Sequence, residues 1–173
     1  EILLQTTKML GIYTWLILWQ VVTALQATVE SKQGAKCAIY GNCGKKSFFG
    51  SELPCPVSSD FRPEPVSSDD INFLVSVCGE EWRNATELCC TKEQVTNLRN
   101  NLKKAENLIA SCPACRKNFD NLFCQFTCSP NQREFINVTG TQLSMDKKEI
   151  VSELSFFIDP EWASQFYDSC KNV

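Results

Sequence analysis

Eleven cysteines and no histidine in 173 residues limit this chain more than anything else in its sequence. All eleven fall between Cys37 and Cys170. In an oxidising compartment such cysteines read as bridges, and in a reducing one as metal ligands or redox centres. The absence of histidine removes Ser-His-Asp and Cys-His catalysis, and any histidine-containing zinc site, from this chain. It also leaves any response to acidity to carboxylates or to a partner, so no inflection of binding near the ordinary histidine value of about 6.5 is expected.

The N-terminus decides the compartment. Gly11 to Leu25 is apolar apart from Thr14, Gln20 and Thr23; it follows Lys8, and the small residues Ala24 and Ala27 lie at its end. A basic n-region, a short apolar run and a small-residue cleavage site make a secretory signal peptide, here residues 1–27. The run is shorter than the roughly 20 residues a spanning helix needs. Met9 is a natural initiator, with Glu1 to Lys8 as translated leader. The cysteines are therefore read as disulfides. Asn84-Ala85-Thr86 and Asn137-Val138-Thr139 are glycosylation acceptors in keeping with that route.

At 43% hydrophobic and 21% charged residues the chain should fold around a core. Lys plus Arg total 17 against 20 for Asp plus Glu, a net charge of -3 with no basic stripe, which argues against nucleic acid as partner.

Residues 28–36 read as a polar linker. Cys37 to Asp70 is rich in Gly, Pro and Ser, and Pro54, Pro56, Pro63 and Pro65 predict an irregular region pinned by Cys37, Cys43 and Cys55. Ser68, Asp69 or Asp70 can cap a helix ending near Cys78-Gly79. Thr91-Lys92-Glu93-Gln94 has the form of a capping box, opening a helix to about Ala110 whose apolar stripe is Val95, Leu98, Leu102, Ala105 and Leu108. A second helix begins at Pro113 and carries Phe119, Phe123 and Phe126. Phe135 to Leu143 and Glu149 to Ile158 read as strands, and Asp159-Pro160 opens a last helix. The expected class is α+β and disulfide-rich, several helices packed with a small mixed sheet around an apolar pocket.

Cys112-Pro113-Ala114-Cys115 has the spacing of a thioredoxin-type redox pair, but that chemistry needs a βαβ context and here a long helix precedes. Cys112, Cys115, Cys124 and Cys128 are spaced tolerably for four-cysteine zinc ligation, against which stand a secretory signal and seven further cysteines. Structural disulfides are the reading adopted, with no metal and no cofactor. Because eleven is odd, one thiol is left without an internal partner, and the expectation is a fragment whose remaining cysteine lies past Val173. Gln94 carries two compatible readings: capping residue, and polar tip of an apolar wall suited to a greasy ligand with one hydrogen-bonding end.

Tyr40-Gly41-Asn42-Cys43-Gly44, Leu88-Cys89-Cys90 with Gln94 four residues on, Ser111-Cys112-Pro113-Ala114-Cys115, Asn121-Leu122-Phe123-Cys124 and Thr127-Cys128-Ser129-Pro130 occur in one order. Together with Phe135 to Thr139 and Asp168-Ser169-Cys170, they resemble the N-terminal luminal domain of the Niemann–Pick type C sterol transporters. The segment with Lys45-Lys46 and Glu52-Leu53-Pro54-Cys55-Pro56-Val57 looks most like fungal members. The resemblance covers residues 37–173, with the domain cut short at its C-terminal end. It implies a non-enzymatic sterol-binding domain in the lumen of the vacuole or lysosome, part of a membrane protein, fed by a soluble carrier of the Niemann–Pick type C2 kind. It implies bridges Cys37–Cys89, Cys43–Cys55, Cys78–Cys124, Cys90–Cys128 and Cys115–Cys170, with Cys112 left over. It carries the sterol-hydroxyl contact onto Gln94 and the pocket wall onto Ile39, Leu98, Asn118, Phe123, Leu154 and Phe156. Pro54 stands where animal members have a hydroxyl-contacting asparagine, and it offers no amide proton or polar side chain. Recognition should then lean on Gln94, with Asn42 or water assisting. The rival class is a cysteine-rich recognition module for a non-sterol ligand or a protein.

Overall fold

The computed structural model describes residues 34–172. The signal peptide expected at residues 1–27, and the linker up to residue 33, lie outside the described residues. Strands and helices come in groups along the chain: β1 (Ile39–Lys45), β2 (Glu52–Pro56), α1 (Ser68–Cys78), α2 (Lys92–Ile109), α3 (Pro113–Cys128), β3 (Ile136–Leu143), β4 (Glu149–Phe156) and α4 (Pro160–Cys170), with 3-10 turns at Glu80–Trp82 and Gln132–Glu134.

The architecture is α+β and disulfide-rich, but the strands form two separate antiparallel pairs, β1–β2 and β3–β4, in place of one mixed sheet. Both connections are short, and parallel pairing needs a crossover of a dozen residues or more. The region expected to be irregular thus contains a hairpin. Its prolines are tolerated because a strand of a two-stranded sheet is always an edge: Pro54 pairs with Asn42 and Pro56 with Ile39. The ladder slips on either side of Asn42, between Tyr40 and Gly44. Gly41 at φ 64° and Gly44 at φ 121° adopt there a backbone that side chains disfavour.

Each helix start follows from its cap. Ser67, one residue ahead of the expected caps, accepts from the Asp70 amide. Thr91 and Gln94 form the full capping box of α2, and Asp159 accepts from the Trp162 amide at 2.9 Å with Pro160 in the first turn of α4. The α2 stripe is buried only at Val95, Leu98 and Leu102; Ala105 is half-buried and Leu108 is 78% exposed, because the last turns run past the core.

One core lies under α1, α2 and α3, built on Leu74, Trp82, Leu88, Val95, Leu98 and Leu102. A second joins Ala38 and Ile39 of the first hairpin to Ile136 and Val151 of the other, with Phe126, Leu154 and Phe156 packed against it. Fully buried Gln132 ties the chain entering β1 to the last turn of α3. Its Oε1 accepts from the amides of Ala38 and Ile39, and its Nε2 donates to the carbonyls of Phe126 and Thr127. A buried amide whose donors and acceptor are all met locks the neighbouring chains in one register.

The bridges are Cys37–Cys89, Cys43–Cys55, Cys78–Cys124, Cys90–Cys128 and Cys115–Cys170, the pairs that the resemblance implies. Cys112 is free and half-buried, its Sγ donating to the Ser169 carbonyl at 3.2 Å. Cys115, Cys124 and Cys128 each go to a different partner, so the four cysteines read as a possible zinc knot do not converge, and Cys112 and Cys115 do not form a redox pair. Among the described residues no cluster of three or more metal-ligating side chains occurs. Asn84 and Asn137 are both exposed.

Candidate binding site

On α2, residues 94, 97, 98, 101 and 102 recur at helical spacing and share a face; on α3, residues 119, 123, 126 and 127 do the same. These two faces and the β1–β2 hairpin enclose an open cavity of about 470 Å³. Leu98 and Leu102 line it from α2, Phe119, Phe123, Phe126 and Thr127 from α3. Its polar lining is Gln94, Asn97 and Asn101 of α2, with Asn42, Ser51 and Glu52 from the hairpin. The volume falls within the range of roughly 300–1,000 Å³ usual for small-molecule sites. Phe119 and Phe123 stack obliquely with ring centroids 4.7 Å apart, and Phe123 keeps 40% of its surface exposed, high for a phenylalanine on the wall of a helix pair.

Gln94 is not a free polar tip. Its Oε1 accepts from the amides of Thr91 (2.9 Å) and Gly41 (2.8 Å), while Nε2 donates to the Gly41 carbonyl at 3.3 Å. Two amide donors facing one atom settle which end of the side chain is oxygen. A carboxamide nitrogen has two hydrogens, so one remains to donate into the cavity. Gln94 therefore fastens β1 to the start of α2 and can still offer a ligand oxygen a single hydrogen bond. Glu52 is the one ionisable side chain in the lining.

Of the residues carried over as a site, Asn42, Gln94, Leu98 and Phe123 come together here. The others do not. Ile39 and Leu154 are packed in the second core, behind Phe126. Phe156 stacks edge-on against Phe126 at 5.3 Å and lines a different groove, of about 390 Å³, with Phe157, Ile158 and Trp162. Asn118 faces α4, donating to Ser169 Oγ at 3.0 Å. Strand alternation and helix phase send these four side chains away from this cavity. The lining also includes residues the sequence reading did not name as site residues: Ser51 and Glu52 of the hairpin, and, on the helices, Asn97, Asn101, Leu102, Phe119, Phe126 and Thr127. The signal was present as helical spacing from Gln94 on one helix and from Phe119 on the next.

Fold and site together define a disulfide-braced α+β domain built around an amphiphilic cavity, aromatic on one helix and amide-lined on the other. The chain belongs to the Niemann-Pick C1 N terminus family, whose model matches residues 34–173. It is 32% identical over 142 residues to the NPC intracellular cholesterol transporter 1 of Sus scrofa, covering 79% of this chain and 11% of that protein. It is 33% identical over 174 residues to the NPC1-like intracellular cholesterol transporter 1 of Homo sapiens, covering 94% and 13%. The NPC intracellular cholesterol transporter 1 homolog 1 of Caenorhabditis elegans is 30% identical over 156 residues, covering 80% and 11%. The chain thus spans little more than a tenth of the length of these relatives, which are named as transporters and not as enzymes. Among the described residues no helix is long and apolar enough to cross a membrane.

Proposed function

We propose that this domain binds one sterol molecule in the cavity between α2, α3 and the first hairpin, and passes it on without chemistry. It does so as the luminal part of a sterol transporter in the vacuole or lysosome, receiving its cargo from a soluble carrier of the Niemann–Pick type C2 kind. The observation that carries the reading is a cavity that sets an aromatic wall on α3 against a face of α2 bearing both leucines and amides, in a chain of this family. Covering several hundred Å² of sterol at roughly 25 cal/mol/Å² supplies on the order of ten kcal/mol before ordering costs. A neutral hydrogen bond from Gln94 Nε2 adds about 1 kcal/mol. The walls supply the affinity, and the amide selects which end of the ligand enters first.

The test is radiolabelled sterol binding with polar ligands as competitors. Leu98→Trp fills the cavity from its buried wall; Asn101→Trp fills it from an exposed position and spares the core. Both should lower sterol affinity at least roughly tenfold, since a blocked cavity forfeits most of its contact area. Full-strength binding by a folded Asn101→Trp protein would place the sterol elsewhere.

A further inference from the structure

The β1–β2 hairpin ends in a turn that folding does not explain. Ser47 and Gly50 close it, the Gly50 amide donating to the Ser47 carbonyl at 3.0 Å, and the two central positions are Phe48 and Phe49. Such positions favour Gly, Asn, Asp or Pro. Here Phe48 is 75% and Phe49 96% exposed, their rings 5.2 Å apart and edge to face. Neither belongs to a core cluster. Cys43–Cys55 clamps the base of the hairpin, so the turn is held out on a braced arm.

Four lysines surround it. Lys45 and Lys46 precede the turn, and Lys147 and Lys148 lie in the β3–β4 connection, which is joined to Lys45 by a hydrogen bond from the Met145 amide to the Lys45 carbonyl at 2.9 Å. All four are exposed, and none is paired with a carboxylate among the described residues. The carboxylates of the same region are Glu52, Asp146 and Glu149, one fewer than the lysines. Met145 and Leu143, 55% and 67% exposed, extend the apolar surface.

We propose that this tip is a membrane-docking element: Phe48 and Phe49 enter the interfacial region of a bilayer, while Lys45, Lys46, Lys147 and Lys148 meet anionic headgroups. Aromatic rings next to long basic side chains match the two layers of a lipid surface, an apolar boundary under negative charge. A protein groove would have to reproduce both layers around two adjacent rings. Ser51 and Glu52, which follow the turn directly, line the cavity. Docking therefore brings the cavity to the bilayer, a consequence that rests on the sterol reading above; the docking itself does not.

Hydrogen–deuterium exchange on the whole chain reads the tip locally, whatever residues 1–33 do. Vesicles of phosphatidylcholine mixed with phosphatidylserine should slow exchange at residues 45–51 several-fold, and vesicles of phosphatidylcholine alone should not. The lipid concentration at half-protection should rise roughly tenfold or more in Phe48→Ser with Phe49→Ser, and roughly fivefold for each of Lys45→Gln and Lys46→Gln. These side chains are exposed, so an unchanged melting temperature certifies the fold, and the lysine variants stand alone if the phenylalanine pair misfolds. A tip unprotected by anionic vesicles, equally protected by neutral ones, or still protected without its phenylalanines overturns the proposal. So does a tip shielded only by an acidic partner protein. Tip protection without sterol binding removes the sterol reading and leaves the docking surface; sterol binding without protection does the reverse.

Discussion

Removing the Gln94 side chain tests whether the polar end of the cavity is built by that residue or merely lined by it. In Gln94→Ala four hydrogen bonds disappear: the Thr91 and Gly41 amides and, at a long 3.4 Å, the Thr91 hydroxyl to Oε1, and Nε2 to the Gly41 carbonyl. The remaining half of the capping box, the Gln94 amide donating to Thr91 Oγ1, involves backbone and survives. At about 0.5–1.5 kcal/mol each, with water reaching part of this half-buried joint, the loss comes to about 2–3 kcal/mol. For a domain of this size that lowers the melting temperature by roughly 10 °C. Gln94→Glu keeps the accepting oxygen, loses the donor, and places a negative charge in the first turn of α2, where the helix favours it; its cost should be under half that of alanine. Calorimetry and sterol binding on both variants separate the roles. Alanine should lower affinity more than about fivefold, the value of one hydrogen bond, because β1 also comes loose from α2. A melting temperature within about 2 °C of the parent, with equal affinity losses in both variants, would refute the joint and leave Gln94 as a ligand contact alone.

Cys43→Ser with Cys55→Ser opens a loop of sequence separation 12 and should cost about 3 kcal/mol, read by thermal unfolding. Alkylation without reductant should place one label, on Cys112; labelling of any other cysteine in peptide maps contradicts the pairing. Burial pushes the Asp120 carboxyl above its ordinary 3.8 against the pull of Arg116, with Glu106 adding to the rise. The folded state then holds more protons than the unfolded one between 3.8 and the raised value, so this group's penalty is full above that window and relieved as pH falls through it. The melting temperature of the parent relative to Asp120→Asn should therefore climb on acidification from about pH 7 to about pH 4; a flat or falling difference contradicts the assignment.

Local signals in the sequence set the class, the helix starts and the bridged character of the domain. Thr91 with Gln94, and Asp159 with Pro160, are caps whose chemistry acts within one turn, and they were legible for that reason. The first hairpin was not. Pro54 and Pro56 speak against a strand until it is known to be an edge, and that depends on which segments pair. The site divides along the same line. All eight site residues came from the family resemblance; Asn42, Gln94, Leu98 and Phe123 do meet at one cavity, whereas Ile39, Asn118, Leu154 and Phe156 face elsewhere because strand register and helix rotation decide where a side chain points. Gln132 makes the same case from the interior, an ordinary glutamine in sequence that becomes the buried clamp between the start of β1 and the end of α3. A cap or a turn is written in neighbouring residues. A cavity is the space left between faces that distant contacts bring together, and only the tertiary structure could decide its walls.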